Sequence, residues 1–354
     1  REISADTLIL TDSVSARLPG ELVQSLGLSY EAVHTIDEWD IEAWKAFVIE
    51  HNDVGQWFYV VDSQVGENCQ GDRIVRFLRF VQGLLKSGQS GIDVTAVTRR
   101  GTGDYSEIEG IHAIAGCAAR ESDSIRFESV VLGEGDSVRA LSLRSIRFEN
   151  DTAYRLSGVS GDRLTQRRLL SLTLPAGAGS AFRKGGVYII VGGAGGIGRE
   201  LTRYLSKQYQ AKIVWFGRRP NIPHLEEDRR NVEASGGELH YLATDITDLR
   251  ELEISVAQLQ RTFPRINGVI HSALVLKDRL LANMDEETFQ AALRPKLAGT
   301  SHLLRAFESV DLDFMTFFSS AQSFSFNGGQ SNYAAGCLVK DSLANQSKAH
   351  MTYP

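Results

Sequence analysis

Three cysteines in 354 residues, Cys69, Cys117 and Cys337, are odd in number and widely spaced, which excludes a disulfide framework and any cysteine metal-ligand spacing. That usage suits a reducing cytoplasm. No uncharged run approaches the roughly 20 residues of a membrane helix, and the first residues do not read as a secretion signal. An excess of positive charge is missing too. With 38 lysines and arginines against 44 acids the net charge is −6, which argues against a nucleic-acid surface. What is present is ordinary soluble, globular composition, 42% hydrophobic and 23% charged. At about 100–200 residues per domain, the length calls for two.

From residue 187 the pattern is a run of β/α units. "VYIIV" (187–191) is a short β-branched strand, followed by "GGAGGIG" (192–198) and then "RELTRYLSKQY" with helical spacing. "KIVWFG" (212–217), a segment within 238–248, "INGVIHSA" (266–273) and "DFMTFFSS" (313–320) supply four more strands. Strands alternating with helices predict a doubly wound parallel sheet. The first half has the same rhythm: strands at 7–10, 57–62, 92–99 and 124–133, and helices near 14–26, 38–52, 73–88 and 110–122. In the second of these helices Trp39, Trp44, Phe47 and Val48 fall on one face. No glycine fingerprint follows any of the first-half strands. The chain therefore reads as α/β, two Rossmann-like doubly wound subdomains. Residues 1–180 are structural and 181–354 bind the cofactor, with a Gly-rich linker at 174–186.

Gly193, Gly195 and Gly198 fit G-x-G-x-x-G directly after a strand and at the opening of a helix. Glycines there let backbone N–H groups approach a pyrophosphate at the positive end of the helix, so Gly196 and Ile197 join them as cofactor-binding candidates. The second strand ends in Arg218 and Arg219 rather than an acid, which suits the 2′-phosphate of NADPH better than the free ribose of NAD. Asp245, with Ile246 beside it, follows the third strand on the adenine side. Ser272 and Ala273 follow the fourth on the nicotinamide side.

Together with "LKD" (276–278), "RPKLAGTSHL" (294–303) and "FFSSAQSFSFNGGQSNYAAG" (317–336), these motifs resemble the ketoreductase domains of modular polyketide synthases, a branch of the short-chain dehydrogenase/reductases. The resemblance covers most of the chain and implies an N-terminal subdomain without a cofactor. Short-chain reductases usually carry Tyr-x-x-x-Lys, but four residues after Tyr333 stands Cys337. In the ketoreductases the lysine comes from an upstream helix, which implies Lys296, just after Pro295 read as a first-turn residue. Cys337 departs from the family's usual asparagine, and the "YAAGC" segment is similar to reductases of trans-acyltransferase synthases.

The resemblance implies that NADPH reduces a β-ketoacyl chain on the phosphopantetheine arm of an acyl carrier protein, beside neighbouring synthase domains. Tyr333 would give the proton, Ser320 would hold the carbonyl oxygen and Lys296 would tune the tyrosine. Ser320 is preferred over Ser319 because alternation puts them on opposite faces and the family spacing fits Ser320. Asp278 ends a stretch similar to the "LDD" of B-type, D-hydroxyl-forming enzymes, and Ser325 stands where A-type enzymes often carry tryptophan. No metal, nucleic acid or membrane is expected. The abrupt start and the end at "KAHMTYP" suggest a piece of a longer protein, lacking the last strand and lid. The alternatives are a silent reductase-like scaffold domain and a free-standing dehydrogenase.

Overall fold

The computed structural model describes residues 7–12, 17–36, 39–62, 71–101, 106–138, 154–160, 163–167, 170–173 and 179–348. Two compact units divide the chain. One comprises residues 1–170, 277–290 and 320–342; the other comprises 171–276, 291–319 and 343–354. The first break lies near the sequence boundary at 180/181, but two later segments pack with the first half. Side chains explain this. Gln82 Nε2 donates to Leu281 O at 2.8 Å and to Met284 O at 2.6 Å, and Arg79 makes a bidentate ion pair with Glu286.

In the first unit, β1 (Thr7–Thr11), β2 (Val33–Thr35), β3 (Gln56–Asp62), β4 (Ile92–Arg99), β5 (Ile125–Leu132), β6 (Tyr154–Ser160) and β7 (Arg163–Gln166) form one sheet. Its order is β2-β1-β3-β4-β5-β6-β7, parallel except for the β6–β7 hairpin. Helices α1 (Arg17–Leu26), α2 (Ile41–Glu50), α3 (Asp72–Ser87) and α4 (Ser106–Glu121) accompany it. α1, β1, β3, β4 and β5 share a core of Ile9, Leu18, Leu22, Val60, Val97 and Val130. α2 buries Trp44 and Val48; Trp39 lies before the N-cap Asp40 and not on the helix, yet Trp39, Trp44 and Phe47 are in mutual ring contact.

In the second unit, β8 (Val187–Val191), β9 (Lys212–Gly217), β10 (Glu238–Ala243), β11 (Gly268–His271) and β12 (Phe314–Phe317) form an all-parallel sheet in the order β10-β9-β8-β11-β12. This is the 3-2-1-4-5 arrangement of a nucleotide-binding sheet, whose switch point falls between β8 and β11. The β-branched run of β8 is buried along its whole length, as a central parallel strand requires. α5 (Gly196–Tyr209), α6 (Leu225–Ala234) and α7 (Leu249–Thr262) follow β8, β9 and β10 in turn. Among the described residues, no helix is long and apolar enough to cross a membrane.

Two expectations change. α8 (Glu286–Ala306) begins well before Pro295, which therefore lies inside the helix and not in its first turn. The helix starts where the Asp285 carboxylate accepts the Thr288 N–H at 2.7 Å. β12 ends at Phe317, so Ser319 and Ser320 lie past the strand and pleat alternation does not orient them. α9 (Ser331–Lys348) carries Tyr333; the final residues 349–354 lie outside the described residues, as do Cys69 and linker residues 174–178.

Candidate active site

The turn after β8 lies at the switch point. Gly192 takes φ +81°, the left-handed region that glycine reaches without penalty, and a Cβ there would stand 2.8 Å from Ala273 Cα. A Cβ on Gly193 would overlap the Trp215 ring, and one on Gly198 would stand 2.5 Å from Gly193 Cα. The glycines thus let α5 start against the strand ends. Gly195, Gly196 and Ile197 are exposed, and Gly195 at the N-cap offers no side-chain cap to the first N–H groups of α5. That backbone cradle, closed to larger residues at Gly192, Gly193 and Gly198, fits a dinucleotide pyrophosphate at the positive end of the helix.

Arg218 and Arg219 follow β9 directly and are exposed, and neither forms an ion pair among the described residues. Asp245 is half-buried, and its Oδ1 accepts from the Thr247 N–H at 2.9 Å and the Thr247 hydroxyl at 2.8 Å. Ile246 faces the core, and its carbonyl is paired with His302 Nδ1 at 3.0 Å. Ser272 donates to Val191 O at 3.0 Å and pins the end of β11 to β8. Lys296 is 1% exposed on α8, one residue after Pro295, whose carbonyl lies 3.1 Å from His271 Nε2. All of these belong to the second unit.

The first unit brings Ser320, Tyr333 and Cys337 together. The Ser320 hydroxyl and the Cys337 thiol lie beside the Tyr333 phenol and act on its acidity in opposite directions. Burial pushes this phenol above its ordinary range. The neighbouring thiol and the negative charge of Asp278 add to the rise, and the Ser320 hydroxyl draws it partly back. A neutral phenol able to give up its proton beside a second hydroxyl suits general-acid chemistry on a carbonyl. Asp278 is exposed, and its Oδ2 accepts from Gln330 Nε2 at 2.7 Å.

Sequence reasoning missed three features. Gly192, outside the fingerprint, takes a positive φ at the start of the turn. Lys340 is 1% exposed and shares a helix face with Tyr333 and Cys337 at i, i+4 and i+7, a spacing that was legible. Glu121, far away in sequence, holds the Tyr333 segment and is treated below. The described residues contain no cluster able to hold a metal ion.

A parallel 3-2-1-4-5 sheet, a glycine turn at its switch point and a serine–tyrosine pair define a short-chain dehydrogenase/reductase fold. Residues 186–352 match the family model described as KR domain and belong with the ketoreductase domains of polyketide synthases. The chain is 32% identical over 302 residues, 81% of its length, to polyketide synthase PksN of Bacillus subtilis (strain 168). It is 42% identical over 191 residues, 54% of its length, to polyketide synthase ThaG of Burkholderia thailandensis. The chain spans only 5% and 3% of those two proteins. A solved structure described as an A1-type ketoreductase superposes with a TM-score of 0.82 at 22% identity, covering 98% of this chain and 76% of that one.

Proposed function

We propose that this domain reduces a β-ketoacyl thioester to the β-hydroxyacyl thioester. NADPH is the reductant, and the substrate rides on the phosphopantetheine arm of an acyl carrier protein in a synthase of the trans-acyltransferase type. The product is the B-type, D-configured alcohol, with Asp278 as its marker. The observation that carries the reading is the Tyr333 hydroxyl held against Ser320.

The turn Gly193–Gly198 would take the pyrophosphate, Arg218 and Arg219 the 2′-phosphate, Asp245 the adenine, and Ser272 and Ala273 would border the nicotinamide. When bound, the nicotinamide supplies hydride to the carbonyl carbon. Tyr333 passes its hydroxyl proton to the oxygen as negative charge builds there, and Ser320 donates a hydrogen bond to the same atom. The family resemblance gives Lys296, buried on α8, the roles of tuning the proton donor and holding the nicotinamide ribose.

The test is cofactor oxidation with a β-ketoacyl thioester, the product resolved by chiral chromatography. NADPH is consumed in preference to NADH, and the alcohol is D-configured. In Arg218→Ser/Arg219→Ser, KM for NADPH rises about 10- to 100-fold, the worth of charge-assisted bonds to a phosphate, while KM for NADH stays put. Preference for NADH in the wild type overturns the assignment of the arginines. Cofactor binding without turnover on any ketoacyl thioester makes the domain a scaffold.

A further inference from the structure

The last residue of α4 reaches both segments that frame the proposed chemistry. The half-buried Glu121 carboxylate accepts two backbone N–H groups through separate oxygens, Leu281 N to Oε2 at 2.6 Å and Gly329 N to Oε1 at 2.8 Å. Leu281 follows Asp278 by three residues, and Gly329 precedes Tyr333 by four. The two segments are also tied to each other. Arg279 N donates to Gly329 O at 2.7 Å, Gln330 Nε2 to Asp278 Oδ2 at 2.7 Å, and Asn332 Nδ2 to Lys277 O at 2.8 Å.

The same helix seats the segment a second time. A Cβ on Gly116 would stand 2.5 Å from the Phe326 ring, so only glycine leaves room for it. Phe326 is buried and holds φ +50°, a strained conformation for a bulky residue that its surroundings must enforce. An ionised carboxylate is acceptor-only at both oxygens, so Glu121 suits two simultaneous N–H donors where an amide suits one.

Resting on the roles given to Tyr333 and Asp278 above, we propose that Glu121 is a positioning residue. It locks the Asp278 segment to the Tyr333 segment and thereby sets the configuration of the product hydroxyl. Glu121→Gln keeps the shape and removes one acceptor; Glu121→Asp keeps both acceptors on a shorter arm.

Amide exchange in peptides spanning 279–285 and 327–331 reads the lock without any substrate. Exchange becomes roughly tenfold faster in Glu121→Gln, the loss of one charge-assisted hydrogen bond, with a smaller change in Glu121→Asp. With a β-ketoacyl thioester, the fraction of minor-configuration alcohol rises about tenfold in Glu121→Gln while KM for the nicotinamide cofactor is unchanged. Unchanged exchange at both segments overturns the lock. Faster exchange with an unchanged product ratio overturns its role in stereochemistry and leaves a stabilising contact only. A wild type inactive on every ketoacyl thioester would fell the ketoreductase reading on that result, and exchange would still decide the lock.

Discussion

Tyr333→Phe is expected to lower the rate of ketone reduction about 10²- to 10⁴-fold, the usual contribution of a positioned proton donor. The substitution removes one oxygen. The ring still fills its place on α9, and none of the residues assigned to the cofactor is touched. Ser320 continues to hydrogen-bond the carbonyl oxygen, so a residual rate survives. The raised phenol pKa keeps the donor protonated through neutral pH. The wild-type rate therefore falls only on the alkaline side, as the phenol ionises. Single-turnover reduction measures the chemical step, and fluorescence titration measures cofactor binding. A variant retaining more than a tenth of the wild-type rate would place the proton donor elsewhere.

The second large effect concerns the first sheet. Its switch point lies between β1 and β3, the crevice where a sheet of this order would take a ligand. Here the protein's own charges occupy it. Arg73 pairs with Asp12 at 3.3 Å and donates to Asp62 O at 2.9 Å. Arg99, 3% exposed, makes an ion pair with Glu21 and lies 3.8 Å from the Asp62 carboxylate. Burial raises the Glu21 carboxyl, yet the hydrogen bonds and charge of Arg99 bring its net shift below the ordinary range.

Arg99→Met removes the guanidinium that faces two acids and is expected to destabilise the first unit by about 3–5 kcal/mol, since breaking a buried ion pair strands the remaining charge. Arg99→Met/Asp62→Leu also removes the buried acid, leaving Glu21 to its remaining partner Arg17, and is expected to recover part of that loss. Urea denaturation of the three proteins, followed by the emission of Trp44 and Trp57, checks both. A loss under about 1 kcal/mol in the single variant would mean the pair behaves like a surface ion pair and not a structural one.

How far the sequence foretold this molecule depends on the range of the interactions involved. β4, β8 and β9 match their expected bounds to the residue, because β-branched runs between glycines and charges leave little choice of ends. β2 and the β6–β7 hairpin went unseen. "VHT" is too short to show a period, and "RLTQ" is mostly polar, so both take their conformation from the neighbouring strand.

α8 was cut short because proline reads as a helix start. Inside a helix it costs about 3 kcal/mol, which burial of the surrounding helix has to offset here. At the site, the glycine turn was legible because it follows β8 directly and opens α5. Pleat alternation does not reach Ser319 or Ser320, since β12 ends at Phe317. Glu121 left no trace, since its bond to Gly329 spans 208 residues and no local pattern records such a pair.

Trp215 gives the glycine turn an optical consequence. Its indole N–H donates to Thr202 Oγ1 at 2.8 Å, and its ring fills the space where a Cβ on Gly193 would be. The other three tryptophans, Trp39, Trp44 and Trp57, lie in the first unit. All indole emission from the second unit therefore arises from one fully buried ring in contact with the turn. The second unit carries a built-in, single-site fluorophore at the very backbone a pyrophosphate would approach.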